Sequence, residues 1–590
     1  MSILYAEMKK AAEKNADKVA IVFYGKRYKF ARVLSLVERA AFGLSDLGVK
    51  KGDVVTLCLP NTPSAFVAFY ALNRLGATVN LVHPFISAAG LSESVKKTDS
   101  RLVIAYDLFL RDKGEDLSGK LAEVGPDIKV IKSRSDHFMG FFAKIYFGQS
   151  QRKKGGKRAK QETRKQKYRI FESIFKNAEI TVPAVQIPKT DPAVYLPSGG
   201  TSGVPKIISH RAGAFHELCC HAQFFLSEPL ETYTAMYSVL PIFHGFGLCM
   251  NMNMCAMLGA KNVMSIKFDP KSMAKAIKKE RINVIMGVPA MFSKLLECPQ
   301  FLKADLSSLK ECFVGGDAVP KKLVEDFNAA LARGGSKGRL YVGYGLTETV
   351  TVCTVNCGTY HKDGSVGYPL PGTELAVVKD GRLVKTGEVG EICVKTPLMM
   401  LSYLDGAAHE SPVRRIEGSG VRGQGSEIVR YGNPDAPPVG RGLAPAAFAP
   451  DAPQNGNNDR WLFTGDLGYL DADGFLFFKQ RIKNMIKVSG VPVYPSEVEE
   501  AVESIPWILR AAAVGIPDEK LGEAVKLYVE APIRELKKFF ENPADHDAVK
   551  KIITEQCEKK LIRYAVPKVI EIRESLPLNS IGKVDRKKLQ

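Results

Sequence analysis

Three glycines, three hydroxyl side chains and a lysine stand close together in Tyr195-Leu-Pro-Ser-Gly-Gly-Thr-Ser-Gly-Val-Pro-Lys206. Glycines 199, 200 and 203 let successive backbone N–H groups turn toward one point, which makes an anion nest. Ser198, Thr201 and Ser202 add hydroxyl donors, and Lys206 adds a positive charge. That chemistry suits a phosphate, although a Gly/Ser loop taken alone reads equally well as a linker. It is not the loop G-x-x-x-x-G-K-[ST], because Val204 and Pro205 separate Gly203 from Lys206. Four further stretches follow in order: Val342-Gly-Tyr-Gly-Leu-Thr-Glu348, Trp461-Leu-Phe-Thr-Gly-Asp466, Lys479-Gln-Arg-Ile-Lys-Asn-Met-Ile-Lys-Val-Ser-Gly490 and Asn579-Ser-Ile-Gly-Lys-Val-Asp-Arg586. Gly364-Ser-Val-Gly-Tyr-Pro-Leu-Pro-Gly372 lies among them.

The segments around these loops indicate an α/β fold. Asp53–Pro60 reads as a strand, 61–76 as a helix and 77–81 as a second strand. Asn61 or Thr62 can cap the helix, Pro63 suits its first turn and Gly76 can end it. Such a unit implies a parallel sheet covered by helices. Asn283–Pro289 and Leu309–Gly316 repeat the theme, each running into glycine or proline where a strand meets a loop. Two segments interrupt it. Residues 133–177 join an aromatic patch, Met139–Phe147, to a basic run and to Tyr168–Phe175. Residues 406–458 are rich in Gly, Pro and Ala with little periodicity, and read as a long mobile loop.

At 590 residues the chain calls for two to four domains. The first twenty residues lack the apolar run of a secretory signal, and no stretch is long and apolar enough to span a membrane. Eleven scattered cysteines, without C-x-x-C pairs, point to buried thiols in a reducing cytoplasm. The net charge of +20 invites a nucleic-acid partner, but Arg152–Arg169 holds ten basic residues against one acid, so nearly half of the excess is local and none is expected. Cys249-Met-Asn-Met-Asn-Met-Cys-Ala-Met257 could offer soft sulfur ligands to copper, yet unbranched methionine more simply fills an irregular core.

The ordered motifs together resemble the adenylate-forming superfamily of acyl-CoA synthetases, luciferases and peptide-synthetase adenylation domains, from Asp17 to Leu589 apart from the two insertions. The resemblance implies a large N-terminal domain of β-α subdomains, residues 1–481, and a small mobile α+β lid, residues 482–590. It implies ATP, Mg²⁺ and coenzyme A as cofactors, and a carboxylic acid as substrate. A carboxylate would attack the α-phosphate of ATP, and a thiol would then displace AMP.

The resemblance also implies roles residue by residue. Ser198, Gly199, Gly200, Thr201, Ser202, Gly203 and Lys206 would cradle the β- and γ-phosphates, with Thr201 near the magnesium. Glu348 would ligate Mg²⁺, a hard cation suited to one carboxylate plus phosphate oxygens. Tyr344, between Gly343 and Gly345, would stack on adenine, with Gly316 and Asp317 bordering the base and Thr347 at the α-phosphate. Asp466 would accept hydrogen bonds from both ribose hydroxyls. Lys583 would serve the adenylation step, Lys483 would be the hinge of the lid, Arg481 would touch ribose or phosphate and Lys487 the phosphate. Ser489 and Gly490 would line the pantetheine tunnel, and His244 would match an aromatic gate beside the substrate carboxylate.

The paired glycines 199 and 200, with Met485–Glu499, are most similar to bacterial medium- and long-chain fatty acyl-CoA synthetases. Several residues depart from the family pattern. Gly199 and Ile207 stand where a hydroxyl residue and a glycine are usual, and Thr349 and Val350 replace a small pair after Glu348, which narrows one wall against bulky aromatic acids. The aromatic and basic residues of 133–177 are expected to touch an anionic membrane, at the inner face of a cytoplasmic enzyme's cell membrane, against the plainer reading of a solvated charged loop. Three rivals to a fatty acid:CoA ligase stay open: a fatty acyl-AMP ligase that loads a carrier protein, an aryl or β-lactone-forming relative, and a membrane- or nucleic-acid-binding protein on a degenerate ligase fold.

Overall fold

The computed structural model describes residues 2–125, 127–134, 136–141, 143–144, 168–176, 185–188, 190–198, 206–404, 412–416, 429–430, 460–489, 491–542, 545–578 and 584–589. The architecture is α/β, with a large N-terminal domain built on three sheets and a smaller C-terminal domain on a fourth.

The strand–helix–strand unit forms as its caps dictate. Thr62 accepts a hydrogen bond from the Ala65 N–H, Pro63 takes the first turn of helix Pro63–Leu75, and Gly76 closes it at φ 77°. The flanking strands Val54–Cys58 and Thr78–Leu81 pair in parallel. Every residue of the helix is buried, which is the fate of a helix apolar on all sides. These strands belong to an eight-stranded sheet in which Pro192–Pro197 and Ile207–Arg211 pair antiparallel, one strand in from the edge strand Ser402–Tyr403, so the two ends of the glycine-rich loop leave from adjacent strands.

A nine-stranded sheet holds Val284–Gly287, Glu311–Val314 and Arg339–Tyr344 side by side in parallel. Their C-terminal ends deliver Gly316, Asp317 and the turn carrying Glu348 to one edge, where ligands of open α/β sheets collect. The third sheet is antiparallel, and pairs Arg460–Leu470 with Leu476–Arg481. Strand Ile486–Val488 already belongs to the C-terminal sheet, so the chain changes sheets across the turn Ile482–Asn484.

One expectation for the insertions is corrected. The second insertion is not loop throughout, because Val413–Arg415 and Val429–Arg430 pair with the third sheet. Strands of two or three residues leave no two-residue pattern to read. In the first insertion most described aromatics face the core rather than an outer surface. Phe138, Met139, Phe171 and Phe175 are buried, and Phe171–Lys176 packs on helix Phe30–Asp46 so tightly that a Cβ on Gly43 would lie 2.7 Å from that of Ile174. Phe141 alone of the described aromatics from 138 to 175 is strongly exposed, at 73%. Among the described residues no helix is long and apolar enough to cross a membrane.

Candidate active site

Gly199, Gly200, Thr201, Ser202, Gly203, Gly490 and Lys583 lie outside the described residues. The two ends of the glycine-rich loop are within them and are clamped together. The Ser198 N–H donates to the Lys206 carbonyl at 2.7 Å, and the Lys206 N–H donates to Ser198 Oγ at 3.0 Å. The ammonium of Lys206 stands 4.6 Å from the ring centre of Tyr403, within cation–π range.

Tyr403 was not legible as a site residue, yet it joins two that were. Its hydroxyl donates to Glu348 Oε1 at 2.8 Å, so one side chain holds the carboxylate with its tip and the lysine with its face. Burial, and then the Glu348 charge, raise the Tyr403 pKa, so the phenol stays protonated and remains a donor. Pairing of Ser402–Tyr403 with Ile208–Ser209 brings it there, and the Met400 N–H fixes the Glu348 carbonyl at 2.7 Å.

Glu348 lies on a short turn, Thr347–Thr349, whose exit is strained. Val350 has φ 63° and ψ −59°, and the Thr351 N–H reaches back to the Thr349 carbonyl at 2.7 Å, which makes a γ-turn centred on a β-branched residue. Gly245, beside His244, meets that turn directly; a Cβ there would come 1.7 Å from the Val350 carbonyl oxygen. His244 is half-buried against Phe243 at 4.7 Å between ring centres. After it the chain winds as a π-helix, Phe246–Asn253, a form that recurs at functional sites. Met250, Met252, Met254 and Cys255 are buried in the core, where unbranched methionine fills irregular space.

A second cluster holds the other carboxylate. The Tyr344 hydroxyl donates to Asp466 Oδ2 at 2.8 Å, and Arg481 Nε stands 3.3 Å from Asp466 Oδ1, across from it in the strand register. Asp466 is 2% exposed. Burial, followed by the Asp466 charge, drives the Tyr344 pKa well up. A cavity of about 280 Å³ opens beside the first cluster, lined by Glu348, Tyr403, Thr464 and Gly465, the last adjacent in sequence to Asp466, with Arg414 of the second insertion at its wall.

His210 was also missed. Its Nε2 lies 2.7 Å from the Thr347 carbonyl, which only accepts, so Nε2 carries the proton. Burial pushes the His210 pKa down to about 4 and keeps the ring neutral. Gly343 and Gly345 make room for the strand that follows; a Cβ on Gly345 would fall 1.9 Å from the Thr351 carbonyl oxygen. Gly316 turns at φ 82°, and Asp317 accepts from the Ala318 N–H at 3.0 Å. Lys483, Lys487 and Ser489 are exposed; Lys487 and Ser489 bond through their backbones to Glu523 and Leu521.

The tail approaches the same edge. Leu578 and Val584 form an antiparallel bridge, and Arg586 grips Glu499 at 2.7 and 3.0 Å and the Ala513 carbonyl at 2.7 Å. Burial works to lower the Arg586 pKa, but the charges of Glu499 and then Asp317 outweigh it, which sets this arginine near the expected adenine border.

Known proteins share this organisation. The family model described as AMP-binding enzyme matches residues 8–404, and that of the AMP-binding enzyme C-terminal domain matches 497–583. A long-chain-fatty-acid–CoA ligase of Bacillus subtilis is 29% identical over 98% of this chain and 92% of its own length. The long-chain-fatty-acid–CoA ligase FadD13 of Mycobacterium tuberculosis is 24% identical over 95% and 92%. Among solved structures, an anthranilate CoA ligase in complex with anthranoyl-AMP superposes with a TM-score of 0.76 at 21% identity, over 99% of this chain and 96% of that one. The o-succinylbenzoate CoA synthetase of Bacillus subtilis, in complex with ATP and magnesium, gives 0.70 at 22%, over 99% and 98%.

Proposed function

The chain belongs to the AMP-binding enzyme family and is an adenylate-forming acid:CoA ligase, and from that premise we propose that it activates a medium- or long-chain fatty acid. The observation that carries the assignment of the site is Tyr403, which ties Lys206 at the end of the phosphate loop to Glu348.

In the first half-reaction a carboxylate oxygen of the acid attacks the α-phosphorus of ATP, the bond to the bridging oxygen breaks, and pyrophosphate leaves. In the second, a thiolate sulfur attacks the acyl carbon and AMP leaves. Neither half requires a covalent link to the protein, so the protein's part is positioning and charge. Lys206 and the loop hold the departing phosphates, and Asp466, kept in place by Tyr344 and Arg481, accepts the ribose hydroxyls. Glu348 and Thr201 would hold Mg²⁺; hard oxygen donors suit that ion, which neutralises phosphate oxygens when bound. Lys583 stabilises the charge that shifts during adenylation, and residues 482–590 turn about Lys483 so that the thiol can enter.

The fatty acid is supported by the names of the sequence relatives and by the buried methionine-rich π-helix that follows His244. Pyrophosphate release should be measured with octanoate, palmitate, stearate, benzoate and anthranilate, with and without CoA. A preference for the alkanoates, with acyl-CoA formed only when CoA is present, is the expected result. A preference for the aryl acids, or product formation indifferent to CoA, would transfer the chain to an aryl ligase or to a carrier-loading ligase.

A further inference from the structure

A second cavity, of about 370 Å³, opens between helix Phe30–Asp46 and the described parts of the first insertion, and the adenylation chemistry makes no use of it. Its cations come from two elements, and a neutral imidazole from a third. Lys26 stands on the edge strand Lys26–Lys29, Arg32 and Arg39 stand two turns apart on one face of the helix, and His137, whose pKa burial lowers, comes from the insertion. Leu36, Phe138 and Phe175 give it apolar walls, and the Tyr28 hydroxyl closes one side by donating to the Phe138 carbonyl at 2.9 Å. Among the described residues, Lys26 and Arg32 have no acidic partner, Lys26 stands 5.3 Å from the Tyr28 ring centre, and Arg39 donates only to the Phe175 carbonyl, at 3.5 Å.

One carboxylate, Glu172, also lines the cavity, and it is already engaged. Ser64 Oγ and Ser133 Oγ each donate to its Oε1 at 2.7 Å, and the Arg134 N–H lies 3.2 Å from Oε1 and 3.1 Å from Oε2. A carboxylate with three donors on it competes weakly for further cations, so Lys26, Arg32 and Arg39 keep a net positive field in a partly apolar pocket.

We infer that this cavity binds a phosphate group, that of an anionic lipid headgroup, and so docks the enzyme on the surface from which a fatty acid would be drawn. A phosphate offers several acceptor oxygens to the forked donors of two arginines and to a lysine. The lipid is favoured over a soluble phosphate ester by Phe141, 73% exposed in the same insertion, and by the ten basic residues that Arg152–Arg169 carries. The site goes beyond the ligase reading and does not depend on which acid is activated.

The test uses the whole 590-residue chain, a Lys26→Gln/Arg32→Gln variant, and a control Lys321→Gln/Lys322→Gln at two exposed lysines of helix Lys321–Arg333, which do not line the cavity. Co-sedimentation is measured with phosphatidylglycerol-containing vesicles and with pure phosphatidylcholine. A basic side chain near an anionic surface contributes about 1 kcal/mol, or roughly fivefold. The Lys26/Arg32 variant should therefore bind phosphatidylglycerol about thirtyfold more weakly than wild type. The control should bind as wild type does, and acid-dependent pyrophosphate release should be unchanged in all three. In a parallel arm, thermal unfolding is followed with glycerol 3-phosphate. A shift in wild type that the Lys26/Arg32 variant loses, with no vesicle selectivity, would keep the phosphate site and make its ligand soluble. Equal behaviour of wild type and that variant in both arms, or an equal loss in the control, would overturn it.

Discussion

The adenylation cleft and the cavity beside the first insertion both gather charge, but they hold it differently. In the cleft, charged side chains are held by other side chains: Glu348 and Lys206 by Tyr403, Asp466 by Tyr344 and Arg481, and Arg586 by Glu499. Around the cavity, Lys26 stands over the Tyr28 ring and Arg39 reaches only a carbonyl, and neither they nor Arg32 have an acidic partner among the described residues. A site that must align an attacking oxygen with a phosphorus benefits from groups fixed before the substrate arrives. A site that only needs to retain an anion benefits from cations still free to meet it, because a cation already paired with an acid loses that partner on binding.

Lys583→Ala gives the hardest test of the first half of that contrast. Loss of one group aimed at developing charge costs on the order of 10²–10³-fold, and pyrophosphate release should fall by that much while thiolation of a supplied acyl-adenylate proceeds. If adenylation survives, the assignment of Lys583 is wrong. Arg586→Ala should follow, since a hydrogen bond to a charged group is worth about 1.5–3 kcal/mol. It releases the tail from Glu499, so adenylation should drop by about tenfold or more with thiolation again spared. An equal loss in both halves would mean that Arg586 only stabilises the small domain.

Tyr403→Phe keeps the ring under Lys206 and removes the donor to Glu348. The expected loss is about tenfold, from one charge-assisted hydrogen bond, and it should appear as a raised KM for MgATP that added magnesium partly restores. A fall in kcat that magnesium does not touch would show that Tyr403 supports the sheet edge and does not orient Glu348.

Much of the cleft could be read from sequence because its parts are local. A capped helix such as Pro63–Leu75 and the stretch before Glu348 each declare themselves within a dozen residues, as does the glycine pattern from which a nest is expected. Tyr403 could not be read, because Leu401-Ser-Tyr-Leu404 has no such signature and reaches the site only by pairing with a strand nearly two hundred positions away. His210 was hidden for the same reason, since its partner is a backbone carbonyl on the turn Thr347–Thr349, 137 positions away. The aromatics of the first insertion could not be placed for a different one: Phe171 and Phe175 are as apolar as a membrane contact demands, and apolarity does not say whether lipid or a neighbouring helix will cover them. The short strands of the second insertion, Val413–Arg415 and Val429–Arg430, exist only through their partners in the third sheet.

Acid should separate the two regions by the smallest but most discriminating effect. His210, with a folded pKa of about 4 against 6.5 for a free imidazole, takes up its proton more readily in the unfolded chain. Its contribution is therefore intact above pH 6.5 and is lost as pH falls toward 4, to a limit of about 3 kcal/mol. His137 at the cavity rim also has a lowered pKa. Burial is the main cause, Lys144, Arg134 and Lys26 lower it further, and Glu172 opposes them. Protonation there adds a cation to the pocket, so vesicle binding should rise as the pH falls below the ordinary imidazole range, while the fold around Thr347 weakens. Phosphatidylglycerol keeps its charge in this range, so the rise would belong to the protein. His137→Gln should flatten the rise in vesicle binding and leave the acid-induced loss of stability in place. A variant that flattened neither, or both, would show that the two regions do not titrate independently and would remove the contrast drawn between them.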